Sequence, residues 1–117
     1  MNSFKNLEAW KSGLALLKGV HELTKKFPKA EKYSLVSQLR RASISILANI
    51  AEGFSRTSPA DKAHKYTICR GECSEVEALL IVSKELGYVT DSDINPLLPL
   101  TDRTGRLLSG LIHAHTS

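Results

Sequence analysis

Apolar residues recur along this chain at helical spacing, and no stretch alternates as a strand would. Leu7, Trp10, Leu14, Leu17 and His21 step by three and four along one helix face; Leu16, Val20, Leu23 and Phe27 form a second row beside it. This spacing predicts a first helix over about 6–27, closed by Pro28, because proline pushes the residue before it out of helical geometry. A second helix is expected over about 34–54. Ser34 is its candidate N-cap after a turn at 29–33, and Gly53 with Thr57-Ser58-Pro59 marks its end. The third helix has the sharpest start: Ser58 as capping hydroxyl, Pro59 at the first helical position and Asp61 in the first turn. Tyr66, Cys69, Cys73, Val76, Leu80 and Ser83 continue it, and Gly87 is a natural C-terminal stop. Thr90 or Asp91 caps a fourth segment, with Asp93 in its first turn. Pro96 and Pro99 each remove a backbone donor, so a regular helix is expected only from about Pro99, with Leu100, Leu107, Leu108, Leu111 and Ile112 as its apolar face. Four helices joined by short connections imply an all-α fold, an antiparallel up-down four-helix bundle occupying residues 1–117 as one domain.

The second helix carries more apolar surface than a peripheral helix needs. Leu35, Leu39, Ile46, Leu47, Ile50 and Phe54, extended by Ile44 and Ala51, span roughly 200° of its wheel, against a little over about 100° for one core-facing stripe. Either neighbouring helices surround it closely or a second subunit covers it. With so few elements available in a short chain, the subunit contact is the favoured reading. Its candidate residues are Arg40, Ile44, Leu47, Ala51 and Phe54. The opposite side of the same helix holds one polar stripe: Gln38, Arg41, Ser45, Asn49, Glu52 and Arg56. That stripe is a solvated face, a subunit contact or the lining of a polar channel.

The composition keeps the problem small. The 117 residues include 42% hydrophobic ones, enough for a packed core, and two cysteines, too few for a disulfide scaffold. The first eight residues contain no apolar signal core, and no run of about 18 apolar residues occurs, so no membrane span and a cytoplasmic location are expected.

The formal charge of +4 is unevenly distributed. Residues 1–41 hold nine Lys/Arg and three Glu, giving +6; residues 42–71 hold four bases and two acids, giving +2; residues 72–117 hold three bases and seven acids, giving −4. Lys11, Lys18 and Lys25 recur every seven residues and so share one line of the first helix, about 21 Å long. Lys26, Lys29 and Lys32 extend its basic end. Such a line can follow phosphates along a nucleic-acid backbone. Glu22, four residues from both Lys18 and Lys26, opposes it. Arg40 and Arg41 point about 100° apart and need not share a partner; on the apolar flank, Arg40 suits an ion pair as well as a phosphate.

Catalytic patterns are missing: there is no Gly-rich phosphate loop, no Gly-x-Ser-x-Gly elbow and no His-Glu-x-x-His pair. Cys69 and Cys73 lie one turn apart, but a zinc site needs about two more ligands and His64 falls off their face. They read as small core residues that let a neighbouring helix approach. His113 and His115 sit near a C-terminus expected to fray, which would not hold acid–base geometry. Glu72, Glu75 and Glu77 read as a solvated acidic face or a docking surface for a basic partner. No catalytic residue, metal or cofactor is expected.

These residues resemble a known family. Phe4-Lys5-Asn6-Leu7-Glu8-Ala9-Trp10 looks like its opening motif, and Phe27-Pro28 with Glu31 like its first turn. Gln38-Leu39-Arg40-Arg41-Ala42-Ser43-Ile44-Ser45-Ile46 and Ala48-Asn49-Ile50-Ala51-Glu52-Gly53 look like its central signature, which Arg56, Glu75, Glu77, Leu86 and Gly87-Tyr88 continue. The match is to the four-helix bundle proteins encoded in intervening sequences of bacterial 23S ribosomal RNA genes. The accessory variability determinant proteins of diversity-generating retroelements are similar too. Leu47 stands where the family often has proline, Cys69-Arg70-Gly71-Glu72-Cys73-Ser74 replaces a small-residue stretch, and Pro96 and Pro99 are unusual for the last helix. The resemblance implies a homopentameric ring, a basic surface suited to nucleic acid, no enzymatic activity and, in the retroelement branch, a reverse-transcriptase partner.

Together these readings predict a non-enzymatic assembly protein that contacts RNA or DNA phosphates through Lys11, Lys18, Lys25, Lys26, Arg41 and Arg56. The alternative is a protein–protein scaffold whose charges only solubilise it and orient its subunits.

Overall fold

Proline and glycine punctuate the chain where the sequence suggests, and the helices between them pack side by side. The computed structural model describes residues 3–116. Four long helices run over Glu8–Thr24 (α1), Leu35–Ser55 (α2), Pro59–Glu85 (α3) and Leu98–Ala114 (α5); a single turn, Asp91–Ile94 (α4), precedes the last. Short 3-10 turns at Phe4–Asn6 and Lys29–Glu31 complete the order, and no strand occurs among the described residues. Around the four-helix bundle α1 packs on α2, α2 on α3, α3 on α5 and α5 on α1. The 27 residues of α3 reach about 40 Å at 1.5 Å each, nearly the 43 Å length of the molecule.

Local chemistry explains the ends. Ser58 Oγ accepts from the Asp61 amide at 3.0 Å with Pro59 behind it, as the sequence predicts. Gly87, at φ +80°, ends α3. Its amide bonds Lys84 O at 3.0 Å and the Tyr88 amide bonds Ser83 O at 3.0 Å, the paired closure that a left-handed glycine permits. Tyr88 then meets Phe27 at 5.8 Å between ring centroids, tying the end of α3 to the end of α1. Thr90 and Asp93 cap α4 reciprocally. Pro96 falls in the turn after it, so α5 starts cleanly at Leu98. Ser34 differs from expectation: it occupies the N-cap position of α2 but accepts no cap bond, because its backbone (φ −124°, ψ −97°) is not the extended one a cap needs, and its hydroxyl donates back to Glu31 Oε1 at 3.1 Å. The C-terminus differs too. α5 stays helical through Ala114, and His115 stacks 6.0 Å from the Tyr66 ring rather than fraying.

Of the two rows on α1, Leu16, Val20, Leu23 and Phe27 form the buried one, joined by Leu39, Ile46, Ile50, Tyr66, Val76, Leu80 and Leu108. Leu7, Trp10, Leu14 and Leu17 are only half-buried against it. Among the buried hydroxyls, Ser12 Oγ and Thr104 Oγ1 bond each other across α1 and α5 at 2.7 Å.

Candidate nucleic-acid and subunit surfaces

The line of lysines on α1 is exposed, but its members are not equivalent. Lys11 Nζ reaches Glu8 Oε2 at 3.2 Å and Lys25 Nζ reaches Glu22 Oε1 at 2.9 Å, both within the helix. Glu22 therefore pairs with Lys25 rather than with Lys18 or Lys26, and this bond holds its carboxyl below the usual carboxylate range. Lys26 turns across to Asp93 Oδ1 at 2.7 Å. That bond, with the Thr90 amide and hydroxyl, brings the Asp93 carboxyl down to about 2. Lys18 and Arg56 have no ion-pair partner among the described residues.

Arg41 faces α3. Its Nη2 meets Glu75 Oε2 at 2.5 Å, Nη1 lies 3.6 Å from Glu72 Oε2, and Nε donates to Gln38 Oε1 at 3.3 Å. The expected acidic face is thus in part a seam between helices. The Glu72 side chain is only 18% exposed, and burial raises its carboxyl above the usual value in spite of Arg41. Further along the α2 polar stripe, Lys65 Nζ of α3 meets Glu52 Oε2 at 3.2 Å, while Asn49 Nδ2 donates back to Ser45 O within α2 at 2.9 Å.

The candidate subunit surface is smaller than the helical wheel suggests. Contact with both α1 and α3 buries most of the wide apolar arc of α2. Leu47 is buried within the chain, packed over Gly13; a Cβ on that glycine would lie 3.1 Å from Leu47 Cδ2. Ile44 remains 51% exposed, and Ala51 and Phe54 are half-buried. Arg40 is half-buried beside them. It meets neither an acid nor solvent alone: Nε donates to Thr24 Oγ1 at 2.9 Å and Nη2 reaches His21 O at 3.5 Å. The half-buried row of α1 lies next to this flank, since Leu17 is about 40° from Gly13 and about 20° from Thr24 around the helix. Leu7, Trp10, Leu14 and Leu17 thus extend the apolar face of Ile44, Ala51 and Phe54 across the seam between α1 and α2.

One functional-looking cation escaped the sequence reading. Lys62 Nζ folds back on the end of α2, donating to Phe54 O at 2.7 Å and Gly53 O at 3.3 Å, with its ammonium 5.5 Å from the Phe54 ring centroid. The signal was available: α2 has no basic residue in its last turn, so its final carbonyls needed a donor from elsewhere. Cys69 and Cys73 are core residues, and burial pushes both thiols up to about 12. Among the described residues no three His, Cys, Asp or Glu side chains come together as a metal site, and no helix is long and apolar enough to cross a membrane.

A family model described as 23S rRNA-intervening sequence protein matches residues 5–110 of the chain. The fold is similar to a crystal structure from Bacteroides thetaiotaomicron, described as a protein with unknown function from the S23 ribosomal protein family. The match covers 89% of this chain and 97% of that one, with a TM-score of 0.81 and 24% sequence identity. Among curated proteins none matches in sequence.

Proposed function

The chain belongs to the 23S rRNA-intervening sequence protein family, and on that footing we propose that it is a non-enzymatic, homopentameric bundle that binds nucleic-acid backbones. The observation that carries this reading is the outer edge of α1. Lys11, Lys18 and Lys25 stand exposed in one line, beside a row of leucines and Trp10 that the chain itself only half covers. Packing the apolar α1–α2 flank against a second copy would bury that row and repeat the lysine line around a ring, so that a modest patch acts several times over. The ion pairs at Lys11 and Lys25 do not oppose this, because exposed pairs contribute only about 0–1 kcal/mol and exchange readily for phosphate.

Light scattering should give a mass near five times 12.9 kDa, and Ile44→Asp should lower it. Binding to RNA should weaken steeply between about 50 and 200 mM salt, and Lys18→Glu/Lys25→Glu should weaken it further without altering the mass. A monomer, or salt-independent binding, would overturn the reading. The scaffold reading is favoured by a different fact: Lys26 and Arg41 are engaged with Asp93 and Glu75 on other elements. It predicts an intact oligomer that binds no nucleic acid. A reverse-transcriptase partner, implied by the accessory variability determinant resemblance, is tested by pull-down from the host.

A further inference from the structure

Tyr33 is 87% exposed, far more than any other large apolar or aromatic side chain among the described residues. It lies between the Lys29–Glu31 turn and the start of α2. The other tyrosines are used by the fold: Tyr66 is buried in the core, and Tyr88 packs on Phe27. Lys32 holds its ammonium over one face of the Tyr33 ring, 5.3 Å from the centroid. Packing therefore does not explain an aromatic residue at this position.

Its surroundings are cationic. Lys29 and Lys32 are exposed and have no ion-pair partner among the described residues. They lie three residues apart on a 3-10 turn, where side chains at that spacing eclipse and point the same way. Glu31, between them, is half-buried and accepts from Ser34 Oγ at 3.1 Å. The ring face turned away from Lys32 and two ammonium groups without a carboxylate partner among the described residues are thus presented within five residues.

We propose that Tyr33, Lys29 and Lys32 form a stacking platform for single-stranded nucleic acid: the ring takes an unpaired base and the lysines hold its flanking phosphates. The two requirements are separable. Phosphate attraction is common to single and double strands, but only a single strand offers a free base face, because a duplex keeps its bases stacked inside. The charged neighbours disfavour an apolar protein segment at this position and favour a polyanion. This inference rests on the nucleic-acid reading above and narrows its ligand to an unpaired segment.

The test uses the full chain and three fluorescently labelled probes of about 15 nucleotides: oligouridylate, oligothymidylate and a blunt RNA duplex, followed by anisotropy near 100 mM salt. Tyr33→Ala should weaken both single strands by roughly 10-fold and leave the duplex within about 2-fold, whereas Tyr33→Phe should bind like the parent. Lys29→Ala/Lys32→Ala should lower the slope of log affinity against log salt by about 1.4 on single strands. Unchanged thermal unfolding of Tyr33→Ala shows that the fold is intact, as expected for so exposed a ring. If Tyr33→Ala binds single strands like the parent while Lys18→Glu/Lys25→Glu does not, the platform is refuted and the nucleic-acid reading stands. Equal loss on duplex and single strand also refutes stacking. If the parent chain binds none of the probes, both readings fall together.

Discussion

Arg40 Nε donates to Thr24 Oγ1 at 2.9 Å, so a cation of α2 closes the last turn of α1. The same threonine hydroxyl donates to Val20 O at 2.8 Å and lies 3.1 Å from His21 O. A cation at a helix C-terminus interacts favourably with its exposed carbonyls. Thr24→Val leaves a half-buried guanidinium one acceptor short and should cost about 1–2 kcal/mol, a fall in Tm of roughly 4–8 °C. In Thr24→Val/Arg40→Met no charge is left stranded, so the double variant should cost less than the sum of the single changes. Strict additivity in thermal unfolding would show that the two residues do not couple.

Gly53 and Gly71 should respond to alanine in opposite directions. A Cβ at Gly53 would lie 2.8 Å from Tyr66 Cε1 and 3.1 Å from Lys65 Cβ, both on α3. The Tyr66 ring is buried and has little room to move, so Gly53→Ala should destabilise by about 1–3 kcal/mol. Gly71 lies within α3 with no atom within 4 Å of an added Cβ. Gly71→Ala should therefore stabilise by roughly 0.5–1 kcal/mol through helix propensity. Urea unfolding of the two variants separates these effects; a shift of the same sign in both would contradict the packing described.

Asp93 and Glu72 should give the stability profile two limbs of opposite sense. Lys26, then Thr90, lowers the Asp93 carboxyl from its usual 3.8 to about 2. A carboxylate depressed in the folded state contributes stability that is present above pH 3.8 and is lost as pH falls toward about 2. The Tm gap between parent and Asp93→Asn should be constant from neutral pH down to about 5 and close below about 4. Glu72 is raised, chiefly by burial, so its ionised form opposes folding above the folded pKa and the opposition fades as pH falls through it. Because Glu75 keeps its hold on Arg41, Glu72→Gln should be more stable than the parent at pH 7 and lose that advantage in acid. A less stable Glu72→Gln at neutral pH would sink this account.

Features governed by neighbours in the chain were legible in the sequence. Ser58-Pro59, Gly87 and Pro99 set helix ends through local backbone chemistry and act as their types predict. Ser34 misled because the turn before it sets a backbone (φ −124°, ψ −97°) unlike an N-cap's, and its hydroxyl points back to Glu31. What needed the register between helices was not legible. Periodicity gave two rows on α1 but could not say which one α2 and α5 would cover. It marked Glu72 and Glu75 as acidic surface because nothing in their own helix announces Arg41 opposite. Lys62 was lost for the same reason, since its carbonyl partners lie on the preceding helix. At the candidate surface, seven-residue spacing put Lys11, Lys18 and Lys25 on one line, but could not say which ammonium groups are paired within the chain.

The hydroxyl pair inside the core has a consequence for how the helices find their alignment. Leucine and valine side chains tolerate one another in many settings, so an apolar interface alone distinguishes poorly between neighbouring settings of two helices. Ser12 Oγ and Thr104 Oγ1 meet at 2.7 Å in a single one. A slip of α5 along α1 by one turn would carry Thr104 about 5.4 Å away, and each hydroxyl would have to fall back on a carbonyl of its own helix. The pair thus works as a reference mark between α1 and α5, the first and last long helices of the chain, at the seam where no short connection holds them in step.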